Sequence, residues 1–338
     1  MQKKFIALKP FNNKVFFKNA VLDRHSKFGS AYLIAAKELL AKRNIIINTI
    51  DIDPGTATEK DVYMDVPYPW QLILWLRIIR NQKKNILFMP EPPLVNPFNY
   101  MKIFHHLFSK IYTWNDSLVD NKKYFKYSII KKTKGIKIEE VPFKNKKLLI
   151  LMNSNLSPFL PFRLLSLSTK EFYSERIKAA NFFDKYYPTE FSIYGRGWNK
   201  PQRFSIIQRL FGYKKYKTYK GSFPQEDKYK ILSEYKFCLC FENSEVSGYL
   251  EKITDYLKGG CVPVYLGAPN VTDYISPKCF IDFRKFRNYE ELARFLDTMD
   301  NKTYNSYIKE IDKFLTGREF KKQWTTDAFS KLFLRSIQ

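Results

Sequence analysis

Residues 236–269 read KFCLCFENSEVSGYLEKITDYLKGGCVPVYLGAP. Residues 237–241 form an unbroken β-prone apolar run, the pattern of a strand covered on both faces. An acid and an amide, Glu242 and Asn243, stand at its carboxyl end, and a polar loop containing Gly248 follows. Residues 249–257 then carry apolar side chains at helical spacing and stop at Gly259 and Gly260, a pair suited to a helix C-cap. A second apolar run, 262–266, completes a strand–helix–strand unit. Strands joined in this way lie parallel, and in open parallel sheets ligands collect at the carboxyl ends of the strands. A helix opening at Tyr249 offers free backbone N–H groups to a phosphate there. Lys252 adds a full positive charge, and Glu251 can accept two hydroxyl hydrogen bonds from a ribose. A solvated charged pair in a first helical turn would present the same two residues, so the pattern by itself leaves both readings open.

The same rhythm runs outward in both directions. Upstream, 147–152 and 191–194 read as strands, the second ending at Gly195, with helices over 169–187 and 227–235; downstream, 279–281 is a last strand. Nearer the start, strands over 4–8, 45–52 and 85–89 alternate with helices over 32–43, 69–79 and 101–107. Between 119 and 147 the pattern weakens and lysines crowd in. The expected fold is therefore α/β, with two Rossmann-like doubly wound domains, 1–140 and 147–310, facing a central cleft. A helical, basic and aromatic tail occupies 311–338.

Composition narrows the functional classes. Lys and Arg number 58 against 33 Asp and Glu, a formal charge of +25, which draws the protein toward polyanions: nucleic acid, an anionic membrane surface or a phosphorylated substrate. A lysine-rich bias from an A·T-rich genome would give the same excess, and charge does not choose among these. The zinc-finger, helix-turn-helix and RNP-like patterns of nucleic-acid readers are absent. Cys238, Cys240, Cys261 and Cys279 form no C-x-x-C pair and read as small buried hydrophobes. No run reaches the ~18 apolar residues of a membrane span, and MQKKFIALKPF lacks the apolar core of a signal peptide. A cytoplasmic location is expected, with peripheral attachment to the inner face of a membrane through the basic tail.

The run strand–F-E-N, G-Y, E-K-I, helix, V-P-V-Y-x-G-x-P resembles the donor-binding signature of the α-1,3/4-fucosyltransferases, glycosyltransferase family 10. GYLEKI is one residue shorter between the Gly-Tyr pair and the Glu than is common there. The resemblance continues upstream through KLLILMNSNLSP, YSERIKAANFF, SIYGRGW and YKGSFPQEDKYKILSEYKF. It implies a GT-B arrangement and an inverting, metal-independent transfer of L-fucose from GDP-fucose to a glycan hydroxyl, most simply in α-1,3 linkage. It assigns donor contacts to Asn155, Arg176, Tyr194, Gly195, Arg196, Lys228, Glu242, Asn243, Tyr249, Glu251 and Lys252. Arg176 would neutralise the leaving GDP with its planar fork of donors. In NILFMPEPPLVNP the resemblance makes Glu91, in a proline-rigid turn after a strand, the general base, because an alcohol is a poor nucleophile at neutral pH. No cofactor is implied beyond the GDP-fucose substrate. The acceptor could be a LacNAc-type unit, a lipopolysaccharide sugar or another surface or lipid-linked glycan. A transferase using a different GDP-sugar is the main alternative. Asp51 and Asp53 spell D-x-D, the metal motif of another glycosyltransferase fold, but no second ligand cluster accompanies them.

Overall fold

The computed structural model describes residues 3–52, 58–130, 141–202 and 206–338. Backbone contacts divide the chain into two units. Unit 1 comprises residues 1–133 with 319–338, and unit 2 residues 134–318.

Unit 1 contains β1 (Lys4–Lys9), α1 (Ala31–Ala41), β2 (Ile45–Thr49), β3 (Thr58–Met64), α2 (Leu72–Arg80), β4 (Asn85–Met89), α3 (Lys102–His105), β5 (Lys110–Thr113) and β6 (Tyr124–Lys126). The six strands form one sheet in the order β2-β1-β3-β4-β5-β6, parallel at every pairing. β4 is buried along its whole length, as its continuous apolar run requires of a central parallel strand. β3 was not legible in the sequence, because TEKDVYM places three charges among its apolar positions. The structure accommodates one of them by pairing. Asp61 is fully buried and accepts from Arg77 Nε and Nη2 at 2.9 and 2.8 Å and from Asn81 Nδ2 at 2.9 Å, so this bidentate bond also anchors α2 to the sheet.

Unit 2 contains β7 (Lys147–Met152), α4 (Leu160–Leu164), α5 (Tyr173–Tyr186), β8 (Phe191–Tyr194), α6 (Ile206–Phe211), α7 (Lys228–Ser233), β9 (Tyr235–Phe241), α8 (Ile253–Tyr256), β10 (Val262–Leu266), β11 (Ile281–Asp282), α9 (Tyr289–Asp297) and α10 (Asn301–Thr316). Its five strands run β11-β10-β9-β7-β8, again all parallel. All four cysteines are free and buried.

Two expectations change. First, the helix expected from Tyr249 begins only at Ile253, and residues 249–252 are an irregular lead-in to it. Its end is as expected, with Gly260 in the left-handed region at φ 66°. Second, residues 311–338 do not form a separate tail. α10 belongs to unit 2, whereas α11 (Arg318–Gln323) leads into α12 (Thr326–Ser336), which packs in unit 1. Phe329 and Phe333 are buried. Phe329 meets Tyr32 of α1 at 4.6 Å and Phe333 stacks on Phe88 of β4 at 5.7 Å between ring centroids. Burying each such ring contributes roughly 1.5–3 kcal/mol. The apolar side of the tail is therefore spent on the core of unit 1 and is not open to a bilayer.

Candidate active site

In unit 2, β9 delivers Glu242 and Asn243 at its carboxyl end, and the long helix α5 brings Arg176 beside them. Arg176 is buried. Its Nη2 donates to the Phe241 and Glu242 carbonyls at 2.8 and 2.6 Å and to Asn243 Oδ1 at 2.9 Å, and the guanidinium lies 4.8 Å from the Tyr173 ring centroid. Its Nε is buried without a partner among the described residues. Asn243 Oδ1 also accepts from Lys252 Nζ at 3.1 Å. Asn243 Nδ2 donates to Tyr249 Oη at 3.3 Å, and Tyr249 Oη donates to Glu251 Oε2 at 2.6 Å. One amide thus joins two cations on one side and a Tyr–Glu pair on the other. Tyr249 is wholly buried, and its hydroxyl bond holds the Glu251 carboxylate in place.

Glu242 has a different task from the one expected. Its carboxylate is fully buried, and Oε1 accepts from the Lys252 and Ile253 backbone N–H groups at 2.7 and 3.2 Å. These two N–H groups at the start of α8 are therefore capped from within and are not free for a phosphate. Oε2 has no partner among the described residues. Burial pushes this carboxyl up to about 7, against the pull of Lys252. Gly267 is required beneath it, since an added Cβ would lie 2.5 Å from Glu242 Cγ and 2.2 Å from Tyr265 Oη.

The other expected donor residues form two further groups. Lys228 is ion-paired with Asp255, which also accepts from Tyr229 Oη at 2.5 Å, and it lies 4.6 Å from the Tyr256 ring centroid. Burial raises the Asp255 carboxyl, but Lys228 and Lys258 outweigh it and hold the group below the usual range. Asn155, Gly195 and Arg196 stitch together the loops after β7 and β8. The Asn155 N–H donates to the Arg196 carbonyl at 2.8 Å, Asn155 Nδ2 to the Gly197 carbonyl at 3.2 Å, and Gln202 Nε2 to Asn155 Oδ1 at 2.7 Å. Gly195 sits at φ +134°, where an added Cβ would lie 2.3 Å from the Asn153 carbonyl oxygen. Tyr194 is half-buried with its ring edge-on to Phe223 at 6.3 Å, and Arg196 is exposed. Because β9, β7 and β8 are neighbours in that order, these loops share the carboxyl edge of the sheet with Asn243.

Glu91 lies in unit 1, just past the end of β4, and its main chain is clamped. Its N–H donates to Asp65 Oδ1 at 3.4 Å, and its carbonyl accepts from Tyr100 Oη at 3.0 Å and Asn99 Nδ2 at 3.4 Å. Behind it is a network absent from the sequence reading. Asp65, at φ +76°, accepts from Asn99 Nδ2 at 2.6 Å, and the fully buried Lys9 reaches the Met64 and Asp65 carbonyls at 3.3 and 3.4 Å. Burial lowers Lys9 to about 7, with Asp65 pulling the other way. The Asp65 carboxyl is raised, again by burial. The available signal was an acid closing the apolar run VYM before V-P. Asp51 accepts the Lys18 N–H at 2.9 Å, and Asp53 lies outside the described residues. Among the described residues no group of three His, Cys, Asp or Glu is placed to hold a metal ion, and no helix is long and apolar enough to cross a membrane.

The chain is similar to known proteins in sequence and in fold. The family model described as glycosyltransferase family 10 (fucosyltransferase), C-terminal, matches residues 164–332, half of the chain. Over 72 residues the chain is 39% identical to the α-(1,3)-fucosyltransferase FucT of Helicobacter pylori, covering 21% of this chain and 15% of that one. Over 85 residues it is 39% identical to GDP-fucose protein O-fucosyltransferase 3 of Homo sapiens, covering 24% and 18%. The match thus spans less than a fifth of the length of either relative. The crystal structure of an α1,3-fucosyltransferase with GDP-fucose superimposes with TM-score 0.56 at 16% identity, covering 99% of this chain and 90% of that one. An α-glucosyltransferase in complex with UDP-glucose and DNA gives TM-score 0.57 at 10% identity, covering 99% and 98%. At these identities the structures establish a shared fold.

Proposed function

This chain belongs to glycosyltransferase family 10, and from that premise we propose that it transfers L-fucose from GDP-fucose to a glycan hydroxyl with inversion, most simply in α-1,3 linkage. The observation that carries the reading is the Arg176–Asn243–Lys252 cluster. A buried guanidinium whose bonds go to neutral oxygens and an ammonium held by the same amide, 3.9 Å from Glu251 Oε2, set two cations side by side, an arrangement suited to a diphosphate. Glu251, oriented by Tyr249, is suited to accept from the ribose hydroxyls.

In the proposed reaction the acceptor hydroxyl oxygen attacks the fucose anomeric carbon from the face opposite GDP. Glu91 takes the hydroxyl proton, the bond from the anomeric carbon to the β-phosphate oxygen breaks, and GDP leaves with the electron pair. Arg176 and Lys252 offset the charge that builds on GDP, a preorganised electrostatic contribution of the kind that supplies a large share of many rate enhancements. A β-linked donor gives an α-linked product. The acceptor is proposed to be a cell-surface or lipid-linked glycan.

The test is release of GDP by the purified full chain from GDP-fucose, GDP-mannose and GDP-glucose, with and without EDTA, across a panel of acceptors, with the product anomer read by NMR. Acceptor-dependent, EDTA-resistant release from GDP-fucose with an α-product is expected. Glu91→Gln should lower it about 10²–10⁴-fold while leaving GDP binding unchanged. Turnover of another GDP-sugar alone would replace fucose as the donor. A retained rate in Glu91→Gln would remove Glu91 as the base.

A further inference from the structure

Helix α2 of unit 1 carries apolar side chains on both faces. Its inner face is fixed by the buried Arg77–Asp61 bond and by Ile78. Its outer face presents Leu72, Ile73, Leu76 and Ile79, each more than half exposed, at i, i+1, i+4 and i+7. A helix of a soluble domain ordinarily turns such a stripe toward the core. Here Trp70, 65% exposed, joins the stripe, and Ile103 of the neighbouring α3 is 74% exposed. The two helices are held together where Trp75 meets Phe104 at 4.8 Å between ring centroids. Exposed cations border the patch. Arg80 extends the stripe at the end of α2, Lys83 follows, and Lys102 precedes Ile103. Trp70, Leu72 and Ile73 also line a groove of about 1120 Å³, together with Val15, Phe28 and Ile50.

We propose that this face of unit 1 seats on an anionic lipid bilayer, with α2 lying in the interfacial plane. An apolar stripe with a basic margin is the pattern of an interfacial helix, and a contiguous exposed apolar patch marks an interaction surface. Charge selects the occupant. The chain carries +25, which attracts an anionic surface and opposes pairing with a second copy. The α12 tail, whose apolar face is buried against α1 and β4, does not supply this contact. The proposal goes beyond the transfer reaction and does not rest on it, since its test contains no sugar.

The experiment is co-sedimentation of the full chain with phosphatidylcholine vesicles, with and without phosphatidylglycerol, at low and high salt. Binding to anionic vesicles that weakens with salt is expected. Ile73→Asp/Leu76→Asp, at exposed positions, should cut the partition constant at least about tenfold with an unchanged thermal transition. Arg80→Gln/Lys83→Gln should cut it about 25-fold, roughly fivefold per cation. Lys321→Gln/Lys322→Gln in the tail should leave it within about twofold on the same scale. Three results would each overturn the proposal: no preference for anionic vesicles; binding lost in the tail variant but kept in the α2 variants; or a wild-type dimer, by sedimentation equilibrium, that Ile73→Asp/Leu76→Asp converts to monomer.

Discussion

Replacing Glu242 by Gln isolates the polar centre of unit 2 in one measurement. The carboxyl is buried, one oxygen caps Lys252 and Ile253, and the other has no partner among the described residues. Burial lifts it from the ordinary 4.5 to about 7. At about 1.36 kcal/mol per pKa unit, that lift corresponds to roughly 3 kcal/mol. The sign follows from proton counts. Between pH 4.5 and 7 the unfolded chain has released a proton that the folded chain keeps, so this group makes stability fall as pH rises through that window. Below 4.5 both states hold the proton, and above 7 neither does, so the contribution is flat on either side. Gln has the shape of the protonated acid, accepts the same two N–H bonds and does not titrate. Wild type and Glu242→Gln should therefore have similar stability near pH 4.5. Near pH 8 the variant should be more stable by about 3 kcal/mol. Calorimetry of the full chain at the two pH values reads the difference, and hydrogen exchange at the Lys252 and Ile253 amides localises it. A difference that does not change with pH, or unprotected amides at 252 and 253 in wild type, would refute the buried-cap assignment.

Other expectations follow from the same geometry. Lys252→Met removes a charge-assisted bond worth about 1.5–3 kcal/mol, so GDP affinity by calorimetry should fall about 10–100-fold; a change below threefold would take Lys252 out of the diphosphate site. Gly195→Ala forces a Cβ to within 2.3 Å of the Asn153 carbonyl oxygen at φ +134°. It should lower the denaturation midpoint by at least about 1–3 kcal/mol equivalent, and an unchanged midpoint would mean that the loops after β7 and β8 do not hold this approach. Asp65→Ala takes the nearby anion from the buried Lys9 and removes the acceptor of Asn99 Nδ2 and the Glu91 N–H, so it should cost about 1–3 kcal/mol. Asp65→Ala/Lys9→Met should recover much of that loss in urea unfolding, whereas additive losses would show the two side chains to be uncoupled.

The strands that are apolar at nearly every position were readable from residue type alone. NILFM, KLLILM and VPVYL lie where their runs begin and end, because a strand buried on both faces admits few polar side chains. β3 was not readable, because Asp61 is tolerated in the interior only through Arg77, sixteen residues away. The signature around Asn243 identified the family of the second half, and the structure brings Arg176, Asn243, Tyr249, Glu251 and Lys252 together. What the signature could not say is how each is used. A run of letters carries no information about which N–H groups are already bonded. The helix that looked open to phosphate is capped by Glu242, and Lys228 is taken by Asp255.

The sequence alone therefore determined the alternation of parallel strands and helices and the family of the second half, since both depend on local periodicity and on residues close together in the chain. Only the tertiary structure decided the pairing of Asp61 with Arg77, the Lys9–Asp65–Asn99 support behind Glu91, the return of α12 to unit 1 and the outward turn of the α2 stripe. Each of these depends on partners far apart in sequence. Burial, which sets the energetic consequence of every buried charge, exists only once the chain has folded.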